Sequence, residues 1–159
     1  MSHERPDPIH GGLVFDEQPV GRRWRTARRT ITESDLITYV TTFGFNEALF
    51  LDATAAGRLG YDGRLVPGSM VMSIAEGLVV SGGSIWGTGT AYLGAEVQVR
   101  GPTYVGDTLE VWIEVTGARL TSRGDRGVVT TSNDVYNQHG EIVMTYSPSR
   151  MILTQHQPE

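Results

Sequence analysis

Polar and apolar residues alternate with a period of two along most of the second half of the chain. The alternation runs from Tyr92 through GTGTAYLGAEVQVRG, from Thr108 through GDTLEVWIEVTGARL, over Val128 to Tyr136 in DRGVVTTSNDVYNQHG, and through the closing GEIVMTYSPSRMIL. A half-buried strand has that period, so four strands are predicted, with turns at Pro102–Asp107, Arg123–Gly127 and His139–Gly140. A stretch of a different kind precedes them. PGSMVMSIAEGLVVSGG is apolar nearly all round, broken only by Ser69, Ser73 and Glu76, and this predicts a buried helix. Pro67 suits its first turn, where a missing N–H has no helical partner to lose, and Gly82–Gly83 ends it.

The first half is more interrupted. Residues 1–20 contain Pro6, Pro8, Gly11, Gly12 and Pro19 and read as an irregular arm, either disordered or packed on the surface. A first strand is predicted over residues 22–30. Thr32, followed three positions on by Asp35, is a carboxylate version of the capping box. Leu36, Ile37, Tyr39, Val40 and Phe43 then recur at near-helical spacing until Gly44. FNEALFLDATAAGRLGYDGRLV mixes a turn, a short helical piece over Ala53–Leu59, and a loop at Gly60 and Gly63. A long apolar helix beside a meander of strands is buried most economically when an antiparallel sheet curves around it, an α+β architecture expected as one domain over residues 21–159.

Composition narrows the chemistry. The absence of cysteine from the 159 residues excludes disulfides, thiolate zinc sites and a cysteine nucleophile. No segment approaches about 18 uninterrupted apolar residues, and MSHERPDPIHGG has no apolar stretch, so a cytoplasmic location and no membrane partner are expected. The net charge of -5 argues against a nucleic-acid partner. Arg22, Arg23, Arg25, Arg28 and Arg29 alternate with Trp24, Thr26 and Thr30, which fits either a solvated strand face or a patch attracting a nucleotide phosphate. SGGSIWGTGTAYLG lacks the strand-then-helix setting and the lysine of a phosphate-binding loop, so its glycines are read as letting the chain leave the helix and join a close-packed strand.

TTFGFNEALFLD, YDGRLVPGSMVMSIAEGLV and TAYLGAEVQVRGPTYVGDTLEVWIEV, in that order, resemble the body of the MaoC-like acyl-CoA hydratases and dehydratases over residues 22–153. The family motif Pro-x-x-x-Gly-Asp-Thr-Leu is matched by Pro102 to Leu109. The resemblance implies the hotdog fold, a curved antiparallel sheet wrapped around a long central helix. It also implies a homodimer with the thioester of CoA or of an acyl carrier bound between subunits, no separate cofactor and no metal. The family loop Gly-Asp-x-Asn-Pro-x-His-x-Asp aligns with Gly44 to Asp52 and departs from it. Phe45 stands at the catalytic aspartate, Phe50 at the catalytic histidine, Glu47 at the asparagine and Ala48 at the proline. Pro67 stands where the helix start usually has histidine, and His3, His10, His139 and His156 are all distant from the loop in sequence.

Adding or eliminating water at a thioester needs a group for the α proton, a group for the hydroxyl, and donors for an enolate-like oxygen. The amides of Gly68 and Ser69, at the start of the central helix, either supply those donors or simply form a tight helix start. Glu47 is the first candidate for a substitute acid or base; buried beside Phe45 and Phe50 its pKa would rise, whereas on an open loop it would be solvated. Asp52 is a second candidate or a cap for the helical piece that follows. Glu76 pairs with an arginine or lines an acyl tunnel, Tyr61 and Arg64 flank the substrate-side loop or only shape it, and Trp86 borders the pocket, a subunit contact or the core. The leading expectation is a hydratase or dehydratase with an atypical catalytic loop. The alternatives are a catalytically silent thioester binder or structural hotdog subunit, and a thioesterase.

Overall fold

The computed structural model of the chain describes residues 4–9 and 11–155, so His3, His10 and His156 lie outside the described residues. Its centre is α4, Gly68–Ser81. Met70, Val71, Ile74, Ala75, Leu78 and Val79 are buried on one side of this helix. They meet the inward residues of β4 (Thr108–Leu120), β5 (Arg126–Tyr136) and β6 (Ile142–Leu153), whose alternating burial is the period read from the sequence. Ala75 is fully buried within this packing. Every strand pair is antiparallel, and the long strands run in the order β4, β5, β6, β3, with β3 spanning Gly89–Val99. The architecture is the expected α+β hotdog wrap.

The helix before the site forms as its sequence dictates. In α1, Glu33–Phe43, the Thr32 hydroxyl accepts from the Asp35 amide, the Asp35 carboxylate accepts from the Thr32 amide, and Gly44 closes the helix at φ 76°. Leu36 and Val40, four apart, are its buried stripe. The family-like turn also has a physical explanation. Gly106 adopts φ 97°, its amide bonds to the Ile31 carbonyl, and the Asp107 carboxylate accepts from the Tyr104 amide at 2.8 Å.

Four expectations are corrected. The single strand over 22–30 is two short ones, β1 (Arg23–Arg25) and β2 (Arg29–Thr30), both paired with β4. Between them the Thr26 hydroxyl, not a backbone carbonyl, accepts from the Val111 amide at 3.0 Å, so a side chain replaces one rung of the ladder. An additional short helix, α2 (Ala48–Leu51), precedes the expected α3 (Ala53–Arg58). Pro67 lies just before the first turn of α4 rather than within it, and Ser69, Ser73, Gly77 and Val80 leave one side of that helix exposed. Finally, β3 is exposed on both faces along its whole length, not half-buried.

The N-terminal arm packs against the domain over its described residues, with Leu13 buried in the core cluster and Phe15 packed against it. Phe15, in a short turn of 3-10 helix (Phe15–Glu17), lies where a Cβ on Gly127 would sit, 2.0 Å from its ring. Arg5 donates two hydrogen bonds to Glu110 at 2.9 and 2.8 Å. Arg28 and the Trp112 indole donate to the same carboxylate, at 2.6 and 2.8 Å, and Arg25 stands 4.0 Å away. The arginine run is thus largely committed to carboxylates, since Arg29 also pairs with Asp35 at 2.6 Å. Burial alone would push the Glu110 carboxyl up, but the bonds from Arg5, Arg28 and Trp112 outweigh it and hold it at about 2.

Because that value is depressed below the ordinary 4.5, the stabilisation is complete above pH 4.5 and is lost as pH falls toward about 2. Allowing for the partly exposed arginines, Glu110→Gln costs about 2 kcal/mol at neutral pH. Denaturant titrations at pH 7 and pH 2.5 check this: the wild-type advantage over the variant shrinks at the lower pH, whereas a constant difference contradicts the assignment.

Candidate active site

The start of α4 opens into an apolar pocket of about 310 Å³ whose wall includes Phe50, Tyr61, Gly68, Val99 and Val143. Three elements converge to make it. The loop before α4 is pinned by Val66 donating to the Thr103 carbonyl at 2.9 Å and by the bridge of Leu65 to Tyr104. Met70 and Val71 both donate to the Pro67 carbonyl, so the first two helical amides, Gly68 and Ser69, have no partner within the helix. Of the two, Gly68 lines the pocket, where its N–H and the positive end of the helix dipole can hold a carbonyl oxygen that gains negative charge. Gly68 approaches Val99 so closely that an added Cβ would stand 3.4 Å from its Cγ2, in ordinary contact. A polar cavity of about 540 Å³, with Arg100, Asp62 and His139 in its wall, shares Gly101, Pro102 and Val143 with this pocket.

The residues singled out from sequence divide. Phe50, Tyr61 and Gly68 line the pocket together. Phe45 does not; it packs on the α1 face, its ring 5.5 Å from that of Tyr39. Glu47 is exposed and not buried beside the two phenylalanines, and its carbonyl accepts from the amides of Phe50 and Leu51 to start α2. Asp52 accepts from the Thr54 amide at 2.8 Å and the Thr54 hydroxyl at 2.6 Å and pairs with Arg58 at 3.2 Å. Those bonds hold its carboxyl below the ordinary range and occupy it as the cap of α3. Ser69 is exposed one residue beyond Gly68. Trp86 is exposed after the far end of α4.

Arg64 and Glu76 belong to two separate ion pairs. Arg64 donates to the Phe50 carbonyl at 3.0 Å and pairs with Glu33, tying the pocket loop to the first turn of α1. Glu76, in the middle of α4, accepts from the Tyr146 hydroxyl at 2.7 Å and from Arg150 at 2.5 Å. Burial first, and the Glu76 charge second, push the Tyr146 hydroxyl far up, which keeps it protonated as a donor. Sequence reasoning missed Val99, Val143 and Met144 as pocket residues, because in an alternating strand they carry the same signal as core, and Pro102, which reads only as a turn residue. A larger groove of about 560 Å³ lies between α1 and α4, lined by Tyr39, Phe43, Met70 and Ile74 among others.

With the pocket in view, the comparisons are informative. The family model of the FAS1-like dehydratase domain region matches residues 18–146. The chain belongs to the FAS1-like dehydratase domain family. This domain is 29% identical over 97 residues to the (R)-specific enoyl-CoA hydratase of Aeromonas caviae, covering 61% of this chain and 68% of that protein. It is 33% identical over 119 residues to the beta-methylmalyl-CoA dehydratase of Chloroflexus aurantiacus, covering 74% of this chain but only 33% of that one. The MaoC-like dehydratase from Rhodospirillum rubrum superposes with a TM-score of 0.81 at 26% identity, over 92% of this chain and 100% of that one. This FAS1-like dehydratase domain is therefore a MaoC-like hotdog domain of the hydratase and dehydratase group.

Arg64→Met removes the ion pair with Glu33 and leaves the Phe50 carbonyl without its donor. The expected cost is about 1–2 kcal/mol of local stability, read as faster hydrogen exchange over α2 and α3 while the amides of β4 and β5 keep their protection.

Proposed function

We propose that the chain binds acyl thioesters with the thioester carbonyl on the Gly68 amide, and adds or removes water across the adjoining carbon–carbon bond. The observation that carries this reading is the start of α4, where an unpaired first-turn amide opens into an apolar pocket in a member of the dehydratase family. Donation to the carbonyl acidifies the α carbon. Of the pocket side chains, Tyr61 and Thr103 carry hydroxyls, none is a carboxylate or an imidazole, and only Tyr61 is exposed enough to meet a substrate. Tyr61 relays the proton: its O–H protonates the departing hydroxyl while its oxygen takes the α proton, so that one water leaves and the tyrosine is unchanged. The thioester is the substrate, and no cofactor is called for.

The second reading, a silent thioester binder, is favoured by Phe50 standing in the pocket where the family places histidine. Turnover separates the two. An enoyl- and 3-hydroxyacyl-CoA panel with absorbance detection of the α,β double bond gives activity in the first case. In the second it gives saturable binding alone. Release of free CoA would instead mark a thioesterase and overturn both.

The same reading makes the chain a homodimer joined along β3. Tyr92, Leu93, Val97 and Val99 are exposed on this edge strand, and Val99, 63% exposed, is also a wall of the pocket. An exposed edge strand of that composition is a pairing surface, and a second copy would close the open side of the pocket. No helix among the described residues is long and apolar enough to cross a membrane, which fits a cytoplasmic placement.

Gly68→Pro is the sharpest substitution for the site. Proline is at home in the first helical position, and Pro67 already has the extended ψ of 138° that a following proline demands, so the change deletes one N–H and little else. The expected result is a fall of about 100-fold in kcat/KM with an unchanged melting temperature. For the edge, Leu93→Lys with Val97→Lys is expected to convert a dimer to a monomer by light scattering; an unchanged mass contradicts pairing through β3.

A further inference from the structure

Glu76 sits at the centre of a buried polar cluster that the proposed reaction does not use. It is eight residues from Gly68 along α4, a distance of about 12 Å at the rise of an α-helix. The Tyr146 hydroxyl and Arg150 both donate to one oxygen of its carboxylate, Oε1. The guanidinium of Arg150 stands over the Tyr92 ring at 5.6 Å. Behind Tyr146 in the sheet register is Asn133, fully buried and accepting from the Thr131 hydroxyl at 2.7 Å. Tyr92, on β3, is half-exposed, and 22% of the Glu76 side chain remains accessible.

Ion pairing alone leaves part of this cluster unexplained. Arg150 is 6% exposed, yet its Nε is buried and meets no acceptor among the described residues. A buried donor without a partner is costly, so its retention beside a carboxylate marks a place for an oxygen from elsewhere. A hydroxyl fits both neighbours, accepting from Arg150 Nε and donating to Glu76. A carboxylate does not, because it would meet the Glu76 charge.

We infer that the Glu76–Arg150–Tyr146 cluster is a specificity subsite for a hydroxyl group carried on the distal part of the acyl chain. This rests on the thioester reading above and adds the class of acyl group. With the thioester carbonyl on Gly68, the roughly 12 Å to Glu76 is the reach of a medium-length acyl chain laid along α4, and a plain alkyl terminus there would leave the Arg150 Nε donor still without an acceptor.

Calorimetric binding of decanoyl-CoA and its omega-hydroxy analogue tests the subsite, first on the wild-type protein and then on the double substitution Glu76→Met with Arg150→Met, which removes both charges together. The hydroxylated ligand is expected to bind at least about tenfold more tightly to the wild type, with the preference abolished in the double variant. Equal affinities, or a preference that survives the double substitution, overturn the inference while leaving the thioester reading intact. Failure of both ligands to bind the wild type defeats the inference and the thioester reading together. If the double variant does not fold, the wild-type comparison still decides.

Discussion

The structure depends on burying one side of α4 in the concave face of the sheet. The buried side chains of that helix fill the space between it and the inward rows of β4, β5 and β6. Once the helix is seated, its first turn has one position available. Pro67, buried, leads into it; the loop before it is fixed on the segment between β3 and β4; and Gly68, the first helical residue, lines the pocket. The chemistry proposed for the site is thus a consequence of packing: an oxyanion donor placed by an apolar helix rather than by a dedicated polar network.

The same seating leaves two surfaces incomplete. One side of α4 and the whole of β3 remain open, and the pocket wall at Val99 belongs to that open edge. Pairing of a second copy along β3, as proposed above, would cover this open edge. The polar outer face follows a different logic. There Glu110 gathers Arg5, Arg25 and Arg28, so the N-terminal arm is fastened to β1 and β4 by charge, and the basic run of the sequence serves the fold instead of a ligand.

The long helix, the four strands and the capped α1 were legible in the sequence because each has one strong period or one capping pair, and both act over a few residues. What was not legible depends on contacts between distant segments. The break between β1 and β2 comes from the Thr26 hydroxyl reaching Val111, 85 positions away. Alternation in β3 could not announce that both faces are bare, because the pattern of a strand does not say what covers it. At the site, Gly68, Phe50 and Tyr61 were found through the motif around them, while Val99 and Val143 looked like core. Glu47 was expected to be buried because its neighbours are aromatic, but α2 begins there and turns its side chain outward. Glu76 stood out as one charge in an apolar helix; its partner Arg150, 74 positions on, carried no local signal.

The central claim is that the leading amide of α4 takes the thioester carbonyl. Isotope-edited infrared spectroscopy of a bound thioester labelled with carbon-13 at the carbonyl reads that contact directly. The account predicts a carbonyl stretch shifted to lower frequency on binding, with the shift lost in the Gly68→Pro protein although ligand still binds. A stretch unchanged from that of the free thioester, or an identical shift in the proline variant, would contradict it.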